Sequence, residues 1–194
     1  MGKGRLEAFT DGVMAILITI MVLELRAPEG TTLGALRPLV PALLTYVLSF
    51  VFLGIYWNNH HHMLQLCDRI NGKILWANLH LLFWLSLIPF VTGWMGESHF
   101  EGLPTSVYGI VLLMAALAWT ILQRQLITLQ GPGSRLAAAV GGDVKGWISL
   151  AAYALAIPLA FVDARIAHGF YVFVALLWLV PDRRVESHLE KTAA

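Results

Sequence analysis

The residues able to do chemistry are few, and they gather near the start of the chain. Asp11 lies in an apolar stretch, with Thr10 beside it and Arg5 six residues earlier. A carboxylate inside a membrane helix costs about 2.5 kcal/mol or more at the bilayer centre, so it needs a partner or water. His60, His61 and His62 form a run that could serve a metal, a haem or a share in such a polar network. Consecutive helical residues point about 100° apart, so three in a row cannot face one metal. Haem ligation needs histidines on facing helices, and only His80 otherwise lies near the apolar core. No metal and no cofactor are expected. Cys67 is the single cysteine, which excludes a disulfide framework and a multi-cysteine metal site. The reading that remains for Asp11, Arg5 and Thr10 is a buried network holding the first helix, shared with His60 or His61.

The elements that carry these residues follow from composition. The chain has 194 residues, 58% hydrophobic and 13% charged, with a mean hydropathy of +0.70. A soluble domain runs at about 45–50% apolar and about 25% charged. So few charges cannot cover the surface of a soluble fold. A net charge of +1 gives no basic patch for nucleic acid. An integral membrane protein remains.

Gaps between charges place the spans. From Pro38 to Cys67 there are 30 residues without Asp, Glu, Lys or Arg, from Ile74 to Gly96 there are 23, and from Gly102 to Gln123 there are 22. Gly146 to Val162 gives 17 and Ile166 to Pro181 gives 16. A membrane helix needs roughly 20 apolar residues, with a range near 17–25. The runs do not alternate, so helices are expected and not barrel strands. The first segment is shorter, 12 uncharged residues between Asp11 and Glu24. No small-residue cleavage site follows it, and Asp11 interrupts it, so it reads as a helix and not a signal peptide. The expectation is one six-helix membrane domain over 1–194, with helices over roughly 8–25, 39–62, 74–95, 104–123, 146–162 and 166–181.

Six spans put both termini on one side. With the termini inside, the inner segments hold Lys3, Arg5, Arg69, Lys73, Arg124, Arg135, Lys145, Arg183, Arg184 and Lys191, and the outer loops hold Arg26, Arg37 and Arg165. By the positive-inside rule both termini are cytoplasmic.

The first helix has two faces. At about 100° per residue, with Ile16 at zero, Ile20 falls near 40° and Leu23 near −20°, whereas Asp11 falls near −140°. Ile16, Ile20 and Leu23 form an aliphatic stripe, and the polar residues lie elsewhere. By itself that stripe fits lipid contact or helix packing as well as any other role.

Arg5-x-x-x-Phe9-Thr10-Asp11-Gly12-Val13, followed by Ala15-Ile16, resembles the Arg-x-x-x-Phe-Ser-Asp signature of the transmembrane protein 175 family of potassium channels. Thr10 stands where that signature has Ser, and the hydroxyl is kept. Trp57-x-x-His60-His61 is similar to a second element of that family, and Asn78 with Leu87-Ile88-Pro89-Phe90 to a third. Ordered motifs on three consecutive spans make the resemblance specific, while spans four to six follow by hydropathy.

The resemblance implies an all-α membrane fold of six helices per subunit, assembled as a homotetramer in a bacterial plasma membrane. Helix 1 would line a central pore constricted by Ile16, Ile20 and Leu23, with Arg5, Phe9, Thr10, Asp11, Trp57, His60, His61 and Asn78 as the motif and its supporting network. No Thr-Val-Gly-Tyr-Gly filter occurs in the chain, so the expected mechanism is conduction through stacked hydrophobic rings. The permeant species would be K⁺ and other monovalent cations, with Glu24 raising their concentration at the outer mouth. The expected partners are the bilayer and further copies of the chain, not nucleic acid. The alternatives are a small-solute or proton-coupled transporter, which would show inverted repeats, and a membrane enzyme or redox subunit, for which the chain offers no catalytic constellation apart from an Asp11–His60/His61 pairing.

Overall fold

The computed structural model describes residues 2–179. Among these residues the chain is helix and turn, without strand. That is the form an apolar chain takes where water cannot satisfy its backbone. Helix α1 runs Lys3–Leu23, preceded by Gly2 in an extended conformation. It begins five residues before the expected start at 8, because the polar residues ahead of the apolar stretch continue the same helix.

A short 3₁₀ helix, Leu33–Leu39, leads into α2, Val40–Gln65. Pro41 sits in the first turn of α2, where its missing N–H costs nothing. The expected third span is two helices end to end, α3 (Gly72–Ser86) and α4 (Ile88–Glu97). The break falls at Leu87 because Pro89 has no N–H to give to the Leu85 carbonyl. Asn71 caps α3, its side chain accepting from the Ile74 N–H at 3.0 Å.

Helix α5, Gly102–Gln130, continues seven residues beyond the expected end at 123. Arg124 marks the end of a charge-free run but does not end a helix. Gly131, at φ 96°, ends it in a conformation that favours glycine. A short α6, Arg135–Val140, then precedes α7 (Val144–Leu159) and α8 (Ala164–Leu179).

Among the described residues four stretches are long and apolar enough to cross a membrane: α1, residues 33–65, residues 72–97 and α5. Helices α7 and α8, 16 residues each, are shorter and also apolar. The six expected spans fall on α1, α2, α3–α4, α5, α7 and α8. Residues 180–181 of the sixth expected span, and Arg183, Arg184 and Lys191 of the charge count, lie outside the described residues.

Packing sets α1 apart. Helices α3, α5 and α7 follow one another through the core, α4 lies on α2 and α5, and α8 pairs with α7. Helix α1 rests on the edge of this body, against α2 and α4 with a lesser contact to α3. Its start is held where Lys3 Nζ donates to the Cys67 carbonyl at 3.0 Å. The same end of the bundle carries Arg69, which donates to the Leu129 carbonyl, and the ion pair of Arg135 with Asp68. The opposite end carries the Arg26–Glu97 ion pair at 3.1 Å. Large apolar side chains such as Trp76, Phe83 and Phe90 stand exposed on the outside, as suits a lipid-facing surface.

Candidate functional site

The two faces of α1 separate cleanly. Leu6, Thr10, Met14, Leu17 and Met21 are buried against the rest of the subunit. The stripe on the other side is open: Ile16 is 57% exposed, Ile20 39% and Leu23 79%. Ile20 is the least open because it lies toward α4, where it lines a groove with Leu17, Phe90 and Trp94. Arg5, Phe9 and Gly12 are on the exposed side as well. Thr19 is also exposed, but its hydroxyl turns back to the carbonyls of Ala15 and Ile16 at 3.1 and 2.9 Å. Above Gly12 the open groups of that face are thus mainly aliphatic.

Besides the Lys3 contact at its start, two polar links tie α1 to the body. The first is buried. Asn78 of α3 donates from Nδ2 to Thr10 Oγ1 at 2.9 Å, and its Oδ1 accepts from His60 Nε2 at 2.9 Å. One amide therefore joins α1, α2 and α3, and it uses both of its functions to do so. With Nε2 donating, a neutral His60 carries its proton on Nε2. All three side chains are buried. A buried amide left unpaired would be costly, so this arrangement selects one register of α1 against its neighbours.

The second link is at the surface. Trp57 Nε1 donates to Asp11 Oδ1 at 2.9 Å. The Trp57 ring is stacked on His61, centroids 6.2 Å apart and planes 14° apart. His61 in turn bonds to Gln65 Nε2 at 2.8 Å. Asp11 is therefore supported by α2, but through the indole.

The structure corrects the expected partners of Asp11. Among the described residues Asp11 pairs neither with Arg5 nor directly with His60 or His61. His60 is committed to Asn78, and His61 lies one layer behind Trp57. Arg5 is exposed and takes no part in either link. Facing α2, Asp11 projects away from the aliphatic stripe, which is the angular separation of about 140° given by the helical period. Among the described residues no group of three or more His, Cys, Asp or Glu is placed to hold a metal ion.

Glu24 directly follows α1 and lines the same groove as Glu97. Both carboxylates are at the end opposite Lys3, and Arg26 pairs with Glu97.

Sequence reasoning missed three contributors. In the sequence Lys3 reads only as an inner-side charge, yet it ties the start of α1 to the turn after α2. Gln65, behind His61, gave no sequence signal of its own. Ser49, Thr92 and Tyr108 form a buried hydroxyl chain, Thr92 to Ser49 at 2.7 Å and Ser49 to Tyr108 at 2.9 Å, which joins α2, α4 and α5. Small hydroxylated residues inside otherwise apolar spans were the available signal.

Comparison with known proteins bears on what such a helix does. The model of the family described as "Endosomal/lysosomal potassium channel TMEM175" matches residues 5–89. A potassium channel of Chryseobacterium sp. (strain P1-3) is 53% identical over 191 residues, covering 98% of this chain and 100% of that one. A potassium channel of Streptomyces collinus is 32% identical, covering 86% of this chain and 88% of that one. An endosomal/lysosomal proton channel of Danio rerio is 26% identical over 66% of this chain but only 24% of its own length. Among solved structures, that of a lysosomal potassium-selective channel TMEM175 homolog from Chamaesiphon minutus superposes with a TM-score of 0.81 at 26% identity, covering 93% of this chain and 97% of that one.

Proposed function

The chain belongs to the TMEM175 family of potassium channels, and we propose that it is a potassium-preferring cation channel whose pore is lined by α1. In this reading four copies surround an axis and present Ile16, Ile20 and Leu23 to it. The observation that carries the reading is the two-faced α1. One side is packed and hydrogen-bonded to its own subunit, and the other leaves an aliphatic stripe uncovered.

Four such helices stack three apolar rings, spaced about 6 Å and 4.5 Å along the axis at about 1.5 Å per residue. A narrow apolar ring removes water from a passing cation and gates by dewetting. The ion that gives up water at lower cost passes more readily, which favours K⁺ over Na⁺. No carbonyl cage takes part, so the preference is modest. Glu24, just beyond Leu23, concentrates cations at the mouth by its field.

The remaining parts of the proposal follow from this. Residues 1–194 form one membrane domain of six spans in a bacterial plasma membrane. Both termini face the cytoplasm, which puts Arg5 at the inner end of α1 and Glu24 at the outer end. The Asn78 and Trp57 links set the rotation of α1 and so the direction in which the stripe points.

The test is K⁺ flux from purified protein in liposomes, comparing the parent with Ile16→Asn, Ile20→Asn and Leu23→Asn. The parent is expected to pass K⁺ faster than Na⁺, and the Asn variants to lose that preference. No K⁺ flux in the parent would sink the channel reading, and an unchanged preference in all three variants would sink the ring mechanism. Since vertebrate relatives are named proton channels, a pH dye in the same vesicles separates proton flux from K⁺ flux. The transporter reading predicts saturable, coupled uptake and no tetramer with α1 at its axis.

A further inference from the structure

Behind α2, on the side away from α1, the structure holds a cavity of about 290 Å³. Asn59 and His62 of α2, Gln123 of α5, Leu136 of α6, Asp143 and Trp178 are among its walls. A second cavity of about 190 Å³ lies beyond, and Gln123, Val140, Gly142 and Asp143 line both. The α6–α7 turn is therefore a partition between two chambers, with Gln123 beneath it.

Gln123 is the polar side chain that the chamber offers to a ligand. It is 7% exposed, and its side-chain amide makes no hydrogen bond to another described residue and opens into the chamber. A Gln amide offers two donor hydrogens and an acceptor oxygen, so its complement is a group that both accepts and donates. Asp143 and Lys145 both line the larger chamber, so its wall carries one charge of each sign and selects neither an anionic nor a cationic head group. Leu136, Ala139 and Trp178 supply an apolar wall for the rest of the molecule. The volume lies at the lower edge of the ~300–1,000 Å³ typical of ligand pockets.

The position of the cavity gives it leverage. Asn59, His62, Met63 and Leu66 face it. By the helical period Asn59 and His62 lie across the α2 axis from Trp57 and His61, and Met63 is one turn from His60. Trp57, His60 and His61 carry both links to α1. A ligand that shifts this part of α2 shifts the anchor of α1.

We propose that this cavity binds a small amphipathic carboxamide, which pairs its amide with Gln123 and lays its apolar end against Leu136, Ala139 and Trp178, and that its binding alters flux through α2. The binding half stands on the cavity alone, and the flux half rests on the channel reading above.

The probe is hexanamide, titrated into the purified full-length protein and followed by saturation-transfer NMR. Saturable binding is expected in the parent. A loss of at least tenfold in affinity is expected for Gln123→Leu and for N,N-dimethylhexanamide, which accepts but cannot donate. Ala139→Phe, which fills the chamber from α6, is a second variant expected to lose binding if Gln123→Leu does not fold. Water as the only occupant, seen as no saturable binding of hexanamide, overturns the site, as does equal binding in both variants. In liposomes hexanamide is expected to change K⁺ flux of the parent and not of Gln123→Leu. Binding without any change in a conducting parent overturns the link to α1. Binding to a parent that does not conduct leaves the site standing and removes the channel reading.

Discussion

Trp57 donates its indole N–H to the Asp11 carboxylate at 2.9 Å, which makes a tryptophan of α2 the partner of the charge in α1. The link is charge-assisted, and the donor is held in place by stacking on His61. Helix α1 touches the body mainly along one side, so a single directed bond at its surface limits its rotation.

Replacing Trp57 with Phe keeps the ring and the stack and removes the donor. The expected loss is about 1 kcal/mol, since the pair is solvent-exposed and Asp11 can turn to water. That corresponds to a fall in Tm on the order of 2–4 °C. Thermal unfolding of the purified protein measures it, and an unchanged Tm would show that this bond does not hold α1.

The buried link is expected to matter more. Asn78→Leu leaves both Thr10 and His60 without a partner in the interior. The expected cost is about 2 kcal/mol or more, seen as reduced yield of monodisperse protein. Thr10→Val removes one bond only and is expected to cost about 1 kcal/mol, near the usual scale for side-chain bonds between membrane helices. Thr10→Ser keeps the hydroxyl and is expected to behave as the parent. If Thr10→Val and Asn78→Leu are equally mild, the amide is not a joint between three helices.

Much of this was legible in the sequence, and the exceptions have physical causes. The apolar runs located every long helix, because in a bilayer the hydrophobic length of a segment decides its state. The ends were missed at α1 and α5, since a helix continues into polar residues as long as its backbone bonds can continue. The two faces of α1 follow from the 3.6-residue period, so Thr10 and Ile16 could be assigned to different sides. The partner of Asp11 could not. A carboxylate accepts from a cation, an imidazole or an indole alike. Only the rotation of α2 against α1 brings Trp57 to it and directs His60 toward Asn78. Gln123 was invisible for the opposite reason. Its place depends on the space left by five helices and a turn, and no spacing within one segment encodes that.

Cys67 gives a prediction that does not involve the pore. It lies just after α2, buried, with its Sγ donating to the Met63 carbonyl at 3.2 Å. Burial pushes its thiol up to about 11. Only the thiolate reacts with alkylating reagents, so at pH 7 the folded protein is expected to resist N-ethylmaleimide for hours. Unfolding in detergent should release full reactivity within minutes. Rapid labelling of the folded protein would show that the turn after α2 opens readily, and with it the Lys3 contact at the Cys67 carbonyl.

Asp143 supplies the pH dependence. It caps α7, its carboxylate accepting from the Gly146 N–H at 3.2 Å. A negative charge at a helix N-terminus is ordinarily favoured, yet burial outweighs this and raises its pKa, against the opposing pull of the Gly146 bond and Arg124. A group whose pKa is higher in the fold stabilises the fold when protonated. That contribution is complete below the ordinary carboxylate pKa of about 3.9 and is lost as pH rises through the raised value. At neutral pH the ionised Asp143 is therefore a net cost. Asp143→Asn removes the charge, keeps an oxygen for the Gly146 N–H and tolerates the left-handed backbone at φ 43°. Its Tm is expected to exceed that of the parent by about 2 °C at pH 7. The gap is expected to shrink as pH falls and the parent carboxyl takes up its proton. A gap that widens on acidification would reverse the sign and show that the Asp143 charge holds the α6–α7 turn in place.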